Sequence, residues 1–88
     1  MKRWKRRDDW VGTQVEDHFV MINVESGRYI ALNDTAAEAW HLLEEPSDQA
    51  TIAAAMTRIF DVDAQTSEQS VSSLMDRMYS LELIEEVA

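Results

Sequence analysis

The chain predicts an α+β fold, and three features predict it. Val, Ile, Phe and Tyr fall before Asn33 in short runs that alternate with polar residues, the pattern of half-buried strands. Beyond Asn33 three apolar stripes recur at helical spacing. The links between these runs are short, so strands come first and helices follow.

The elements follow in order. A first strand is read over 10–16, Trp-Val-Gly-Thr-Gln-Val-Glu, and a stronger one over 18–24, His-Phe-Val-Met-Ile-Asn-Val. Val20, Ile22 and Val24 share one face of the second strand, and Phe19 and Met21 the other. Ser26-Gly27 is a hairpin signal leading into a third strand, 28–32. There Ile30 and Leu32 share a face, with Tyr29 and Ala31 opposite. Both faces of this sheet are partly apolar, and the Trp10 segment is expected to cover the second. Asn33-Asp34-Thr35 ends the strand and offers cap oxygens to a helix over 34–45, with Ala36, Trp40 and Leu43 as its stripe. Trp40 belongs to the core. Pro46 stops that helix. Ser47 is expected to cap a second, over 48–60, built on Ile52, Met56, Ile59 and Phe60. Thr66 or Ser67 is expected to cap a third, over 67–81, with Val71, Leu74, Met75, Met78 and Leu81. Leu83-Ile84 closes the core as a short extended tail. No helix is long enough to be stable alone, so each must bury its stripe. The architecture is a winged helix-turn-helix, a small N-terminal antiparallel three-stranded sheet packed on three α-helices.

Length and composition set bounds. Eighty-eight residues make one small domain, read as 10–88, preceded by a basic flexible arm over 1–9. There is no cysteine, hence no disulfide and no thiolate metal site, which fits a reducing cytoplasm. No apolar run approaches the roughly 20 residues that span a bilayer, and no apolar stretch follows the N-terminal charges as in a secretory signal. Five of the eight basic residues are Lys2, Arg3, Lys5, Arg6 and Arg7; the remaining three face 17 acidic residues. A body this acidic repels phosphate backbones and favours basic partners. The arm reads as a solubilising tail, or else as a grip for nucleic acid or an anionic surface.

Catalytic chemistry has few candidates. His18 and His41 are the only histidines and have no ligand-spaced neighbours. Two glycines cannot supply a phosphate-binding loop. Asp61-Val-Asp63 lacks the central Gly and terminal Glu of a calcium loop. No enzyme activity, metal or cofactor is expected. A DNA-binding regulator is the competing reading of the fold. The third helix, however, sets Glu68, Asp76 and nearby Glu82 against Arg77 alone, the wrong charge for phosphates and base edges. An acyl carrier would need Asp-Ser-Leu at a helix start; Ser73-Leu74 follows Ser72 and lies mid-helix.

One combination is more specific. Ser26-Gly-Arg-Tyr-Ile-Ala-Leu-Asn33, then Thr35-Ala-x-x-x-Trp40, then Arg58-Ile-Phe-Asp-Val-Asp63, resembles the PqqD-like family, named for the pyrroloquinoline-quinone biosynthesis protein D. The resemblance covers about residues 15–86 and departs at Ala36, where Gly is frequent. It implies a RiPP recognition element: a module without catalysis that binds the leader of a ribosomally made precursor peptide and delivers it to modifying enzymes. A short, acidic copy with a basic arm resembles the lasso-type partner of a leader peptidase. The partners implied are the precursor leader and that enzyme, with neither nucleic acid nor membrane.

Strand addition is the mechanism expected. An exposed edge is a template for a second chain, and the third strand is the last before the helices. The leader would lie antiparallel along Arg28, Tyr29, Ile30, Ala31 and Leu32, with Val71, Leu74, Met75 and Met78 of the third helix as second wall. Such a stripe is also what a plain core looks like. Arg28 would pair with a leader carboxylate, and acidic groups such as Asp76 would steer a basic leader.

Overall fold

The computed structural model describes residues 2–87. Strand β1 (Arg3–Arg6) is followed by β2 (Trp10–Val15), β3 (His18–Asn23) and β4 (Tyr29–Leu32). Helix α1 (Asp34–Leu42), the two-residue β5 (Ser47–Asp48), helices α2 (Gln49–Phe60) and α3 (Ala64–Ser80) and strand β6 (Ile84–Val87) complete the order. The expected α+β architecture is present: an antiparallel meander β2-β3-β4 and three helices. A second sheet, β5-β1-β6, was not anticipated.

That second sheet corrects the reading of residues 1–9 as a flexible arm. Arg3 to Arg6 pair antiparallel with Val87 to Ile84, and Arg3 and Trp4 also pair with Asp48 and Ser47. The cause is an alternation only four residues long. Trp4 points inward and is 3% exposed, its ring 5.5 Å from that of Tyr79. The charged neighbours meet the acidic end of the chain, Lys5 with Glu85 at 3.2 Å and Lys2 with Glu86 at 3.7 Å. Arg6 turns under the domain, donating to the Trp40 carbonyl at 2.9 and 2.6 Å and stacking over its ring. The basic cluster is thus spent largely within the fold.

The β3–β4 hairpin forms where Ser26-Gly27 predicts it. Asn23 Oδ1 accepts the N–H groups of Glu25 and Ser26 at 2.9 and 2.8 Å, and Gly27 takes a φ of 78°, a conformation glycine adopts without a Cβ penalty. Register pairs Met21 with Ile30 and Phe19 with Leu32, so these four share the helix-facing side. The opposite face stays open: Val11, Val24 and Tyr29 are exposed there. The Trp10 segment does not cover it. β2 joins the sheet edge to edge, and the Trp10 indole turns to the core side, 5% exposed.

All three helices are capped by an Asn or Asp side chain. Asn33 caps α1, as expected. Asp48 caps α2, not Ser47, and Asp63 caps α3, not Thr66 or Ser67, so α3 starts at Ala64, three residues early. An Asp at either position places a full negative charge on the helix N-terminus. Helix α1 stops at Leu42, short of 45: residues 43–45 turn ahead of Pro46, and the two residues that follow it run alongside β1 as β5. The core centres on Met21, Leu43, Ile52, Met56, Val71, Met75 and Leu83, with Trp40 4% exposed among them. Buried Ser67 donates to the Ala53 carbonyl at 2.7 Å and ties α3 to α2.

Candidate peptide-binding groove

The free edge of the meander is β4, which pairs on one side only, with β3. The Asn23 N–H donates to the Arg28 carbonyl at 2.9 Å, which makes 23 and 28 a hydrogen-bonded pair. In an antiparallel ladder such pairs alternate with pairs whose N–H and C=O point away. Met21–Ile30 and Phe19–Leu32 therefore bond inward, while Tyr29 and Ala31 direct their N–H and C=O to the open edge. The strand carries neither charge nor proline, devices that blunt exposed edges elsewhere. The backbone available to a second strand is thus two residues long, with two donors and two acceptors.

Beside this edge runs a cleft of about 170 Å³. Ile30, Ala31 and Leu32 form one wall, and Asn33 and Ala36 at the start of α1 close one side. The other wall is the C-terminal half of α3 with its C-cap residue: Leu74, Arg77, Met78 and then Leu81. Leu74, Met78 and Leu81 stand at i, i+4 and i+7, one helical face. Met78 is 1% exposed and makes the floor; Leu74 and Leu81 are half-buried. The other open edge of the same sheet, β2, lacks such a wall. It borders a hollow lined by Arg6, Trp40 and His41, where the Arg6 guanidinium is already bound to Trp40.

A groove with apolar walls beside an open strand edge can bind an extended peptide. Among the described residues no cluster of three or more His, Cys, Asp or Glu side chains could hold a metal ion. His41 packs edge-on against Phe19, centroids 4.9 Å apart. Among the described residues, too, no helix is long and apolar enough to cross a membrane.

Residues 18–84 match the family model described as Coenzyme PQQ synthesis protein D (PqqD). The chain belongs to the PqqD family. A solved structure described as TbiB1 in complex with the TbiA(beta) leader peptide is similar to it over 96% of this chain and 98% of that one, with a TM-score of 0.81 and 27% sequence identity. A second, described as lasso peptide synthetase B1 complexed with the leader peptide, shares the fold with a TM-score of 0.79 at 23% identity, covering 93% and 96% of the two chains. No curated protein matches the chain significantly.

Within this PqqD-family fold the residues singled out from sequence separate into groups. Ile30, Ala31, Leu32, Leu74 and Met78 come together in the groove. Tyr29 lies on the same edge, 73% exposed, with its ring on the open face of the sheet. Arg28 sits exposed at the hairpin end, outside the groove lining. Val71 and Met75 do not reach the groove: they are 1% and 0% exposed, in the core. The helix-facing wall is instead completed by Arg77 and Leu81, one step around α3. The signal for Leu81 was in its own stripe. Arg77 stood out only as the lone cation of α3, taken as an argument against DNA rather than as part of a site.

Proposed function

We propose that this chain is a non-catalytic peptide-binding module of the cytoplasm. It takes the leader of a ribosomally made precursor peptide as an added strand on β4 and presents it to the leader peptidase and cyclase of a lasso-type pathway. The observation that carries the proposal is the unpaired edge at Tyr29 and Ala31 standing beside the apolar face of α3. The two similar structures described above, both held with leader peptides, support it.

Energetics assign roles to the two walls. Up to four main-chain hydrogen bonds at Tyr29 and Ala31, each worth about 0.5–1.5 kcal/mol net, give roughly 2–6 kcal/mol. A micromolar complex needs about 8 kcal/mol beyond the cost of association. The backbone therefore sets direction and register, and the groove must supply the remainder. One aliphatic leader side chain buried on Leu74, Met78 and Leu81 contributes about 1.5–3 kcal/mol.

The test is a titration of the precursor's leader into isotope-labelled protein. Amide signals of 29–32 and 74–81 are expected to move. Shifts confined to β1 would sink the proposal and point to the basic residues there as the contact.

A further inference from the structure

We propose that Arg77 makes the groove selective for a peptide in which a large aliphatic residue and an Asp or Glu stand two positions apart. The inference rests on the strand-addition reading and adds the chemistry of the peptide to it.

Arg77 is exposed on the groove margin beside Leu74, Met78 and Leu81. Of the three arginines that follow β1 and its turn, Arg28, Arg58 and Arg77, it alone lines the groove. Among the described residues its guanidinium makes no ion pair: the three bridges present join Lys2 with Glu86, Lys5 with Glu85, and Arg7 with Asp9. Its sequence neighbour Asp76 and nearby Glu82 leave it free, although the chain carries a net charge of −9. An unpaired guanidinium on an apolar wall is well solvated while the groove is empty. A peptide laid across it strips that water, which is unfavourable unless the peptide brings an acceptor. A carboxylate accepts two parallel N–H donors from the guanidinium, whereas a lysine or arginine at that point is repelled.

Spacing fixes where the carboxylate must be. Side chains on one face of an added strand are about 6.7 Å apart, from about 3.3–3.4 Å per residue. Along α3 the step from Arg77 to Leu81 is about 6 Å, at about 1.5 Å per residue. In the proposed pose the added strand runs along α3, and successive inward side chains of the peptide meet successive levels of the helix. One rests on Met78 and Leu81, and the other reaches Leu74 and Arg77. The first level is apolar throughout; the second is apolar with a cation at its rim.

The test is selection from a random dodecapeptide display library on the immobilised full chain. Each enriched peptide is checked by amide shifts at Tyr29 and Ala31. Wild type is expected to enrich an aliphatic residue with Asp or Glu two positions away. Arg77→Gln should keep the aliphatic preference and lose the acidic one. Arg77→Glu should replace it with Lys or Arg and bind the wild-type winners about tenfold or more weakly. Both variants change an exposed side chain, and circular dichroism checks that they fold. Groove-bound peptides with no acidic preference, or with the same preference in Arg77→Glu, would overturn the role of Arg77 while leaving strand addition intact. Enriched peptides that leave Tyr29 and Ala31 unmoved would overturn both.

Discussion

The indole N–H of Trp10 donates to the carbonyl of Glu82 at 2.8 Å, across 72 residues of sequence. Glu82 lies in the tight turn that ends α3, with a φ of 63°, while the Leu83 N–H returns to the Met78 carbonyl at 3.0 Å. The bond therefore pins the start of the β2-β3-β4 sheet to the end of α3. These two units form the opposite walls of the groove, so a contact outside the groove helps set its width.

Replacing Trp10 with Phe keeps an aromatic ring in the core and deletes the donor. The loss of the bond is expected to cost about 1–3 kcal/mol of stability, measured as a shift in urea midpoint. Leader affinity should fall as well, although neither Trp10 nor Glu82 lines the groove. Unchanged affinity in folded Trp10→Phe would mean that the groove walls are held elsewhere.

Two proline substitutions one residue apart should behave differently. Ala31 directs its N–H to the open edge, so Ala31→Pro removes a donor from an incoming strand and none from the sheet. It should weaken leader binding with little effect on the urea midpoint. Ile30 bonds inward to Met21, so Ile30→Pro breaks the β3–β4 ladder and should destabilise the domain itself. Equal stability losses in the two variants would show that the alternation runs the other way.

The two faces of α3 divide in the same manner. Met75 is fully buried in the core, and truncation to Ala is expected to cost about 2–5 kcal/mol. Any Met75→Ala protein that remains folded at low temperature should bind leader about as wild type does. Leu74 is half-buried in the groove; Leu74→Ala should be milder in stability and clearly weaker in binding. Calorimetry on both variants, with and without leader, separates the two effects. A weaker complex for Met75→Ala than for Leu74→Ala would contradict the assignment of the groove wall.

The meander and the three helices were legible because each rests on local signals: alternation in 18–24, the Ser26-Gly27 turn, and stripes at helical spacing. The groove was legible by half. Val71, Met75 and Met78 form one ridge of α3, and Leu74, Met78 and Leu81 form the next, with Met78 shared. Periodicity shows that this broad face is apolar. It does not show which flank other elements cover, because that depends on how α3 is rotated in the bundle. β1 was missed for a different reason. Its Arg-Trp-Lys-Arg alternation is too short to stand out, and its partner Glu85-Glu86 lies at the other end of the chain. The caps were misplaced by one to four residues because Ser47, Thr66 and Ser67 compete in the sequence with Asp48 and Asp63.

Those aspartates also predict how the domain responds to acid. The Thr51 backbone N–H, bound at 2.7 Å, holds the Asp48 carboxyl below its usual range. The backbone N–H and hydroxyl of Thr66, at 2.8 and 3.0 Å, do the same for Asp63. Side-chain bonds from Arg7 and then Asn23 lower Asp9. A folded-state pKa below the unfolded value means that the unfolded chain binds protons first. The stabilisation is complete above the ordinary Asp value of about 3.9 and is lost as pH falls through the lower folded values. Urea midpoints should therefore be flat near neutrality and drop steeply below about pH 4. Asp63→Asn keeps a cap oxygen that does not ionise, so its midpoint should fall less steeply over that acid range. An acid limb as steep as that of the wild type would remove Asp63 from the groups that couple folding to protons.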